Sequence, residues 1–117
     1  MKTRIKQVDD AMVVSIEGHL SYETHEPLRD HLFEIMEQAR VQHPDKKIIF
    51  NFENLEFVGS SGISAFINSL KELTDEGSSP KYCNVATEFQ RVMKAFDESN
   101  LFQFYESEEK ARKSFDN

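Results

Sequence analysis

The chain has 117 residues, a formal net charge of -7, 38% hydrophobic and 11% aromatic residues, and ten phenylalanines. That is enough apolar material for one compact domain over 1–117 and more than a disordered chain carries. The acidic balance argues against nucleic acid and anionic lipid as partners, and no stretch approaches the ~18 consecutive apolar residues of a membrane span, so a cytoplasmic protein without membrane insertion is expected.

Arg4 to Val8 and Met12 to Glu17 alternate as short strands around Asp9-Asp10-Ala11, which predicts an antiparallel hairpin with Lys2, Arg4 and Lys6 on a solvated face. After Gly18-His19-Leu20-Ser21, Pro27 precedes Leu28, Leu32, Ile35, Met36 and Ala39 at helical spacing. His43-Pro44-Asp45 ends that helix, and Lys46 to Phe52 reads as a strand buried on both faces at the centre of the sheet. Beyond Leu55-Glu56-Phe57-Val58 and Gly59-Ser60-Ser61-Gly62, the residues Ile63, Phe66, Ile67, Leu70 and Leu73 make one apolar helical stripe that ends near Gly77. Lys81 to Ala86 is a predicted strand. Thr87-Glu88-Phe89-Gln90 has the form of a capping box before a helix with Phe89, Val92, Met93 and Phe96 inward. Leu101 to Tyr105 is the last predicted strand, and Ser107-Glu108-Glu109 caps a short final helix.

From Met12 onward, strands and helices alternate, which predicts an α/β domain with a mixed, mostly parallel five-stranded sheet, an antiparallel N-terminal hairpin and about four helices. The loops at strand ends are then the functional edge. Little catalytic chemistry is visible. His19, His25, His31 and His43 lack the spacing of a zinc helix, and no nucleotide-binding glycine fingerprint occurs, so neither a metal nor a cofactor is expected. Cys83 is a lone thiol in a strand-like run, with no partner for an internal disulfide. A serine nucleophile elbow is disfavoured, because Gly59-Ser60-Ser61-Gly62 fails its register and no histidine follows it. Asp9-Asp10 falls in the hairpin, away from the functional edge, which argues against an aspartyl-phosphorylated receiver domain. No acid–base set emerges, and an enzyme is not expected.

What remains is the hydroxyl-and-glycine turn where a strand hands over to a helix. Unpaired N–H groups and the positive end of the helix dipole favour an anion there. Spacing alone leaves Ser60 and Ser61 as helix caps or as modifiable hydroxyls.

Several separated segments, together covering about 5–111, resemble the STAS domain, in particular the small bacterial anti-sigma-factor antagonists. Gly18-His19-Leu20-Ser21 with Pro27-Leu28-Arg29 is similar to the family's turn and first helix. Asn51 to Val58 is similar to its central strand and exit, and Leu101 to Tyr105 followed by Ser107 to Ala111 to its last strand and helix. The resemblance implies that Ser60, with Ser61 as the alternate, accepts phosphate. Gly59 departs from the family pattern, standing where an Asp usually precedes the acceptor. It further implies partner switching: the unphosphorylated protein binds a serine/threonine-kinase anti-sigma factor, phosphorylation releases it, and a phosphatase resets the cycle. A monomer is the default expectation, the sequence leaving the oligomeric state open. The implied docking surface comprises Leu20, Ser21, Tyr22, Asn54, Glu56, Gly59, Ser61, Gly62 and Ile63. An alternative from the same resemblance is a non-enzymatic docking subunit of an ABC-type lipid transporter or a sensory scaffold.

Overall fold

The computed structural model describes residues 1–42, 44, 47–57, 60–75 and 79–116, and the side chains of residues 60, 61 and 75 lie outside that description. Ten elements follow in order: β1 (Lys2–Val8), β2 (Ala11–Leu20), α1 (Tyr22–Gln42), β3 (Lys47–Asn51), β4 (Leu55–Phe57), α2 (Ser60–Asp75), β5 (Lys81–Cys83), α3 (Thr87–Ala95), β6 (Phe104–Tyr105) and α4 (Glu108–Ser114). The sheet runs β1-β2-β3-β5-β6, antiparallel only between β1 and β2, with β4 pairing parallel to the far end of β2. The expected α/β architecture and hairpin are present. Asp9 turns the hairpin with a left-handed φ of 56°, a conformation that Asp tolerates better than most residues.

Both faces of the central strands are apolar, as parallel strands covered on both sides require. Met12, Val14, Ile16 and Leu20 of β2 join Ile48 and Phe50 of β3 in the large core under α1, α2 and α3. Ala11, Val13, Ile49 and Cys83 point the other way, into a small cluster closed by Ala111 of α4. Burial pushes the Cys83 thiol up to about 12, so it stays protonated and unreactive at neutral pH. In the large core α1 buries Leu28, Leu32, Ile35, Met36 and Ala39, the stripe its spacing predicts.

The sheet has six strands instead of five because β3 and β4 are one strand broken by a bulge. Ser15 lies opposite Asn51, an offset of 36 positions, whereas Gly18 lies opposite Leu55, an offset of 37. One extra residue has entered at 52–54, which reverses the alternation beyond it. Phe50 and Phe52 face the large core, and so do Leu55 and Phe57, while Glu56 is turned out. The bulge is held by Leu55 N–H donating to Phe52 O at 3.1 Å and Gly18 N–H donating to Asn54 O at 3.0 Å.

Other expectations are shortened or corrected. β5 stops at Cys83 because Asn84 has a φ of 56°. β6 is only Phe104–Tyr105, since the N–H groups of Leu101 and Phe102 donate to the Asp97 carboxylate, each at 2.8 Å, before the ladder can begin. The Thr87 capping box does not form: α3 starts one residue earlier than that box needs, Ala86 is the N-cap without a side-chain bond, and Gln90 Nε2 donates to Val85 O at 3.1 Å. Phe96, expected inward, is the α3 C-cap and is 37% exposed. Ser107 does cap α4, accepting from Lys110 N–H at 3.1 Å.

Tyr82 is wholly buried among Phe50, Phe52, Phe102 and Phe104, and its hydroxyl makes no hydrogen bond of normal geometry among the described residues, although the Thr74 side chain lies near enough to offset part of its desolvation. Desolvation raises the phenol well above its ordinary range. Because an unpaired buried hydroxyl opposes folding, Tyr82→Phe is expected to leave stability unchanged or raise it by about 1 kcal/mol. A lower urea midpoint for this variant would mean that the hydroxyl is bonded after all.

Candidate functional site

The parallel strands deliver their C-terminal ends, and the helices their N-termini, to one edge of the sheet, where open α/β sheets commonly bind their ligands. β2 ends at Leu20 and α1 begins at once. Ser21 caps it reciprocally: Ser21 N–H donates to Thr24 Oγ1 at 2.8 Å, and Thr24 N–H donates to Ser21 Oγ at 3.3 Å. Thr24 here takes the role that Glu or Gln fills in a capping box. Tyr22, next in line, is 67% exposed.

α2 begins at Ser60 on the same edge. Gly59 lies outside the described residues, as do the side chains of Ser60 and Ser61. Gly62 is buried, and a Cβ built on it would lie 2.8 Å from the Ser21 carbonyl carbon and 3.0 Å from the Tyr22 nitrogen. Only a hydrogen fits there, so the first turn of α2 is seated directly on the start of α1. Two segments about forty residues apart in sequence thus form one surface.

The remaining expected residues divide. Ile63 is half-buried and packs against the large core. Asn54 is exposed, its Nδ2 donating to Glu17 Oε1 at 3.4 Å. Glu56 is also exposed, and its Oε2 meets His19 Nε2 at 2.9 Å across the β2–β4 pair. Leu20 is a correction: it is fully buried in the large core and cannot touch a partner, because its position in β2 turns it toward the helices.

Electrostatics distinguish the start of α2 from the other helix starts. First turns carry Glu23 in α1, Glu88 in α3, and Glu108 with Glu109 in α4, whereas that of α2 carries no carboxylate. Side-chain carboxylates offset the dipole at three helix starts, and the positive end of α2 has none of its own. On the neighbouring strand, the Arg4 guanidinium holds the Glu17 carboxyl below its usual range.

One hydroxyl–imidazole pair escaped the sequence reading. His25 Nε2 lies 3.1 Å from Ser69 Oγ, joining α1 to α2, and Ser69 in turn donates to Ala65 O at 3.1 Å. With its only proton given to a carbonyl, the Ser69 hydroxyl accepts from the imidazole, the reverse of an activated nucleophile. Ser69 is also buried. Helical spacing places His25 and Ser69 on their own helices, but only the α1–α2 packing reveals that they meet.

A family model for the STAS domain matches residues 2–111. A curated anti-sigma F factor antagonist of Paenibacillus polymyxa is 25% identical over 92 residues, which cover 79% of this chain and 73% of that protein. Among solved structures, the Bacillus cell fate determinant SpoIIAA in its phosphorylated form superposes with a TM-score of 0.61 at 22% identity, covering 97% of this chain and 99% of that one. An anti-sigma-factor antagonist (STAS) domain protein from Planctomyces limnophilus superposes with a TM-score of 0.72 at 18% identity, covering 98% of each chain. With its interrupted central strand, its seated second helix and a family match over nearly its whole length, this chain belongs to the STAS domain family.

Proposed function

We propose that the protein is an anti-sigma-factor antagonist that binds a serine/threonine-kinase anti-sigma factor through the edge built by Tyr22, β4 and the start of α2, and that phosphorylation of Ser60 releases it. The observation that carries this reading is the first turn of α2, which opens at Ser60, lacks a carboxylate and is seated on Ser21 and Tyr22. The name of the curated relative from Paenibacillus polymyxa agrees with it.

The physical logic has two sides. Free N–H groups at the helix start stabilise a phosphate, so the fold keeps its shape when Ser60 is modified. For a docked partner the same group adds about 1.5 to 2 negative charges to the contact surface and disrupts the contact. The γ-phosphoryl group passes from ATP to Ser60 Oγ, the hydroxyl proton leaves to the kinase's base, and ADP departs. Nucleotide and magnesium arrive with the kinase, and a phosphatase reverses the step.

Incubation with the cognate kinase and ATP should label Ser60, as read by mass spectrometry. Ser60→Ala is expected to stay bound to the kinase, and Ser60→Asp to bind at least about tenfold more weakly, a difference of about 1.4 kcal/mol. Labelling confined to Ser61, or equal affinity of the two variants, would overturn the proposal. Capture of a lipid-transport ATPase by Ser60→Ala, in place of a kinase, would identify a transporter docking subunit instead.

A further inference from the structure

Asn51 ends β3 on the α4 side of the sheet and is one of the few buried polar residues, at 7% exposure. Its Oδ1 accepts from Glu53 N–H at 2.9 Å and from Asn84 Nδ2 at 3.3 Å, and its Nδ2 donates to Glu108 Oε1 at 2.7 Å. Three of the four hydrogen-bonding positions of the amide are therefore filled, and the pattern of donors and acceptors fixes its orientation. The second carboxylate oxygen of Glu108 meets Lys6 Nζ at 2.8 Å. Lys6 and Asn51 together hold the Glu108 carboxyl below its usual range, against the opposing effect of burial.

The place of these bonds in the chain matters more than their number. Glu53 sits within the bulge, where its amide bonds the side chain of Asn51 and the regular ladder is broken. The bulge decides that Phe57 faces the core and Glu56 faces outward, immediately before the start of α2. Glu108, the third member, belongs to the first turn of a helix on the opposite face. We infer that Asn51 is a positioning residue for the functional edge and that, through Glu108, the docking of α4 takes part in that positioning. A ligand or partner that moves α4 therefore changes how Glu56 and the start of α2 are presented. Binding at this edge rests on the function proposed above, but the structural coupling does not.

The test compares amide NMR spectra of the full chain and its variants. Glu108→Ala keeps the Ser107 cap and a good helix-forming residue, so α4 stays folded. It is expected to shift the amides of Glu53, Leu55, Glu56, Phe57 and Gly62 and to speed hydrogen exchange at Glu53 by at least about tenfold. Glu108→Gln retains the acceptor oxygen and is expected to restore those signals. Lys6→Met removes only the ion pair and is expected to leave them in place. Partner affinity should fall by about three- to tenfold in Glu108→Ala and stay unchanged in Lys6→Met. Shifts confined to α4 and its immediate contacts, or equal shifts in Lys6→Met and Glu108→Ala, would overturn the inference. If the edge amides respond as expected while no kinase binds any form, the coupling stands and the proposed function fails.

Discussion

Phe52→Ala is expected to destabilise the protein by about 3–5 kcal/mol, a large share of the stability of a small domain. Phe52 is 3% exposed, and its ring centroid lies 6.3 Å from that of Phe50, 5.8 Å from Phe66, 5.6 Å from Tyr82 and 6.0 Å from Phe89. Truncation would open a cavity bordered by α2, α3, β3 and β5 together, and rings anchored in separate elements cannot all close over it. Because Phe52 also opens the bulge that follows β3, its loss loosens the chain that leads to the candidate site. Urea unfolding should give a lower midpoint with an unchanged slope. Ile5→Ala, at 49% exposure, is the control and should change stability far less. Similar midpoints for the two variants would refute the assignment of Phe52 to the centre of the core.

Gly62→Ala is expected to cost about 1–3 kcal/mol and to weaken partner binding. In an ordinary helix the substitution would help, since Ala is favoured over Gly by about 1 kcal/mol. Here the new Cβ meets the backbone of Ser21 and Tyr22 at 2.8 to 3.1 Å, and a backbone held by reciprocal capping cannot rotate away as a side chain would. α2 must then lift from α1, carrying Ser60 with it. Denaturant unfolding measures the first effect and titration with the kinase the second. A gain in stability would mean that the two helix starts do not press together.

Where apolar residues recur with one period over many positions, the fold was legible in advance. The stripes of α1 and α2 were placed correctly because burial of Leu28, Leu32, Phe66 and Leu70 follows from spacing alone. So was the cap at Ser107, whose hydroxyl and following carboxylates are local chemistry. Errors arose where one residue changes the outcome. Asn51-Phe52-Glu53-Asn54 contains no glycine or proline, so nothing announced the bulge, although it decides which way Glu56 and Phe57 point. Thr87 had a capping pattern, but the helix began one residue too early for it to act.

The candidate site divides in the same way. That a helix begins at Ser60 could be read from a hydroxyl-rich turn between a strand and a helix. Leu20 enters the implied docking surface with the turn it adjoins, while the alternation along β2 buries it. The network around Asn51 joins residues 57 and 33 positions away in sequence, and no local pattern reveals such a meeting.

The clasp between the hairpin and the last helix also bears on the order of assembly. Arg112 Nη1 reaches Asp9 Oδ2 at 2.7 Å across 103 positions, and Lys47 Nζ binds both Asp10 and Asp116. Hairpin contacts are short-range and can form early, whereas this closure must wait for a distant part of the polypeptide. Ala111 of that helix closes over Ala11, Val13, Ile49 and Cys83, so a chain cut short before α4 is expected to expose an apolar strip and to associate through it.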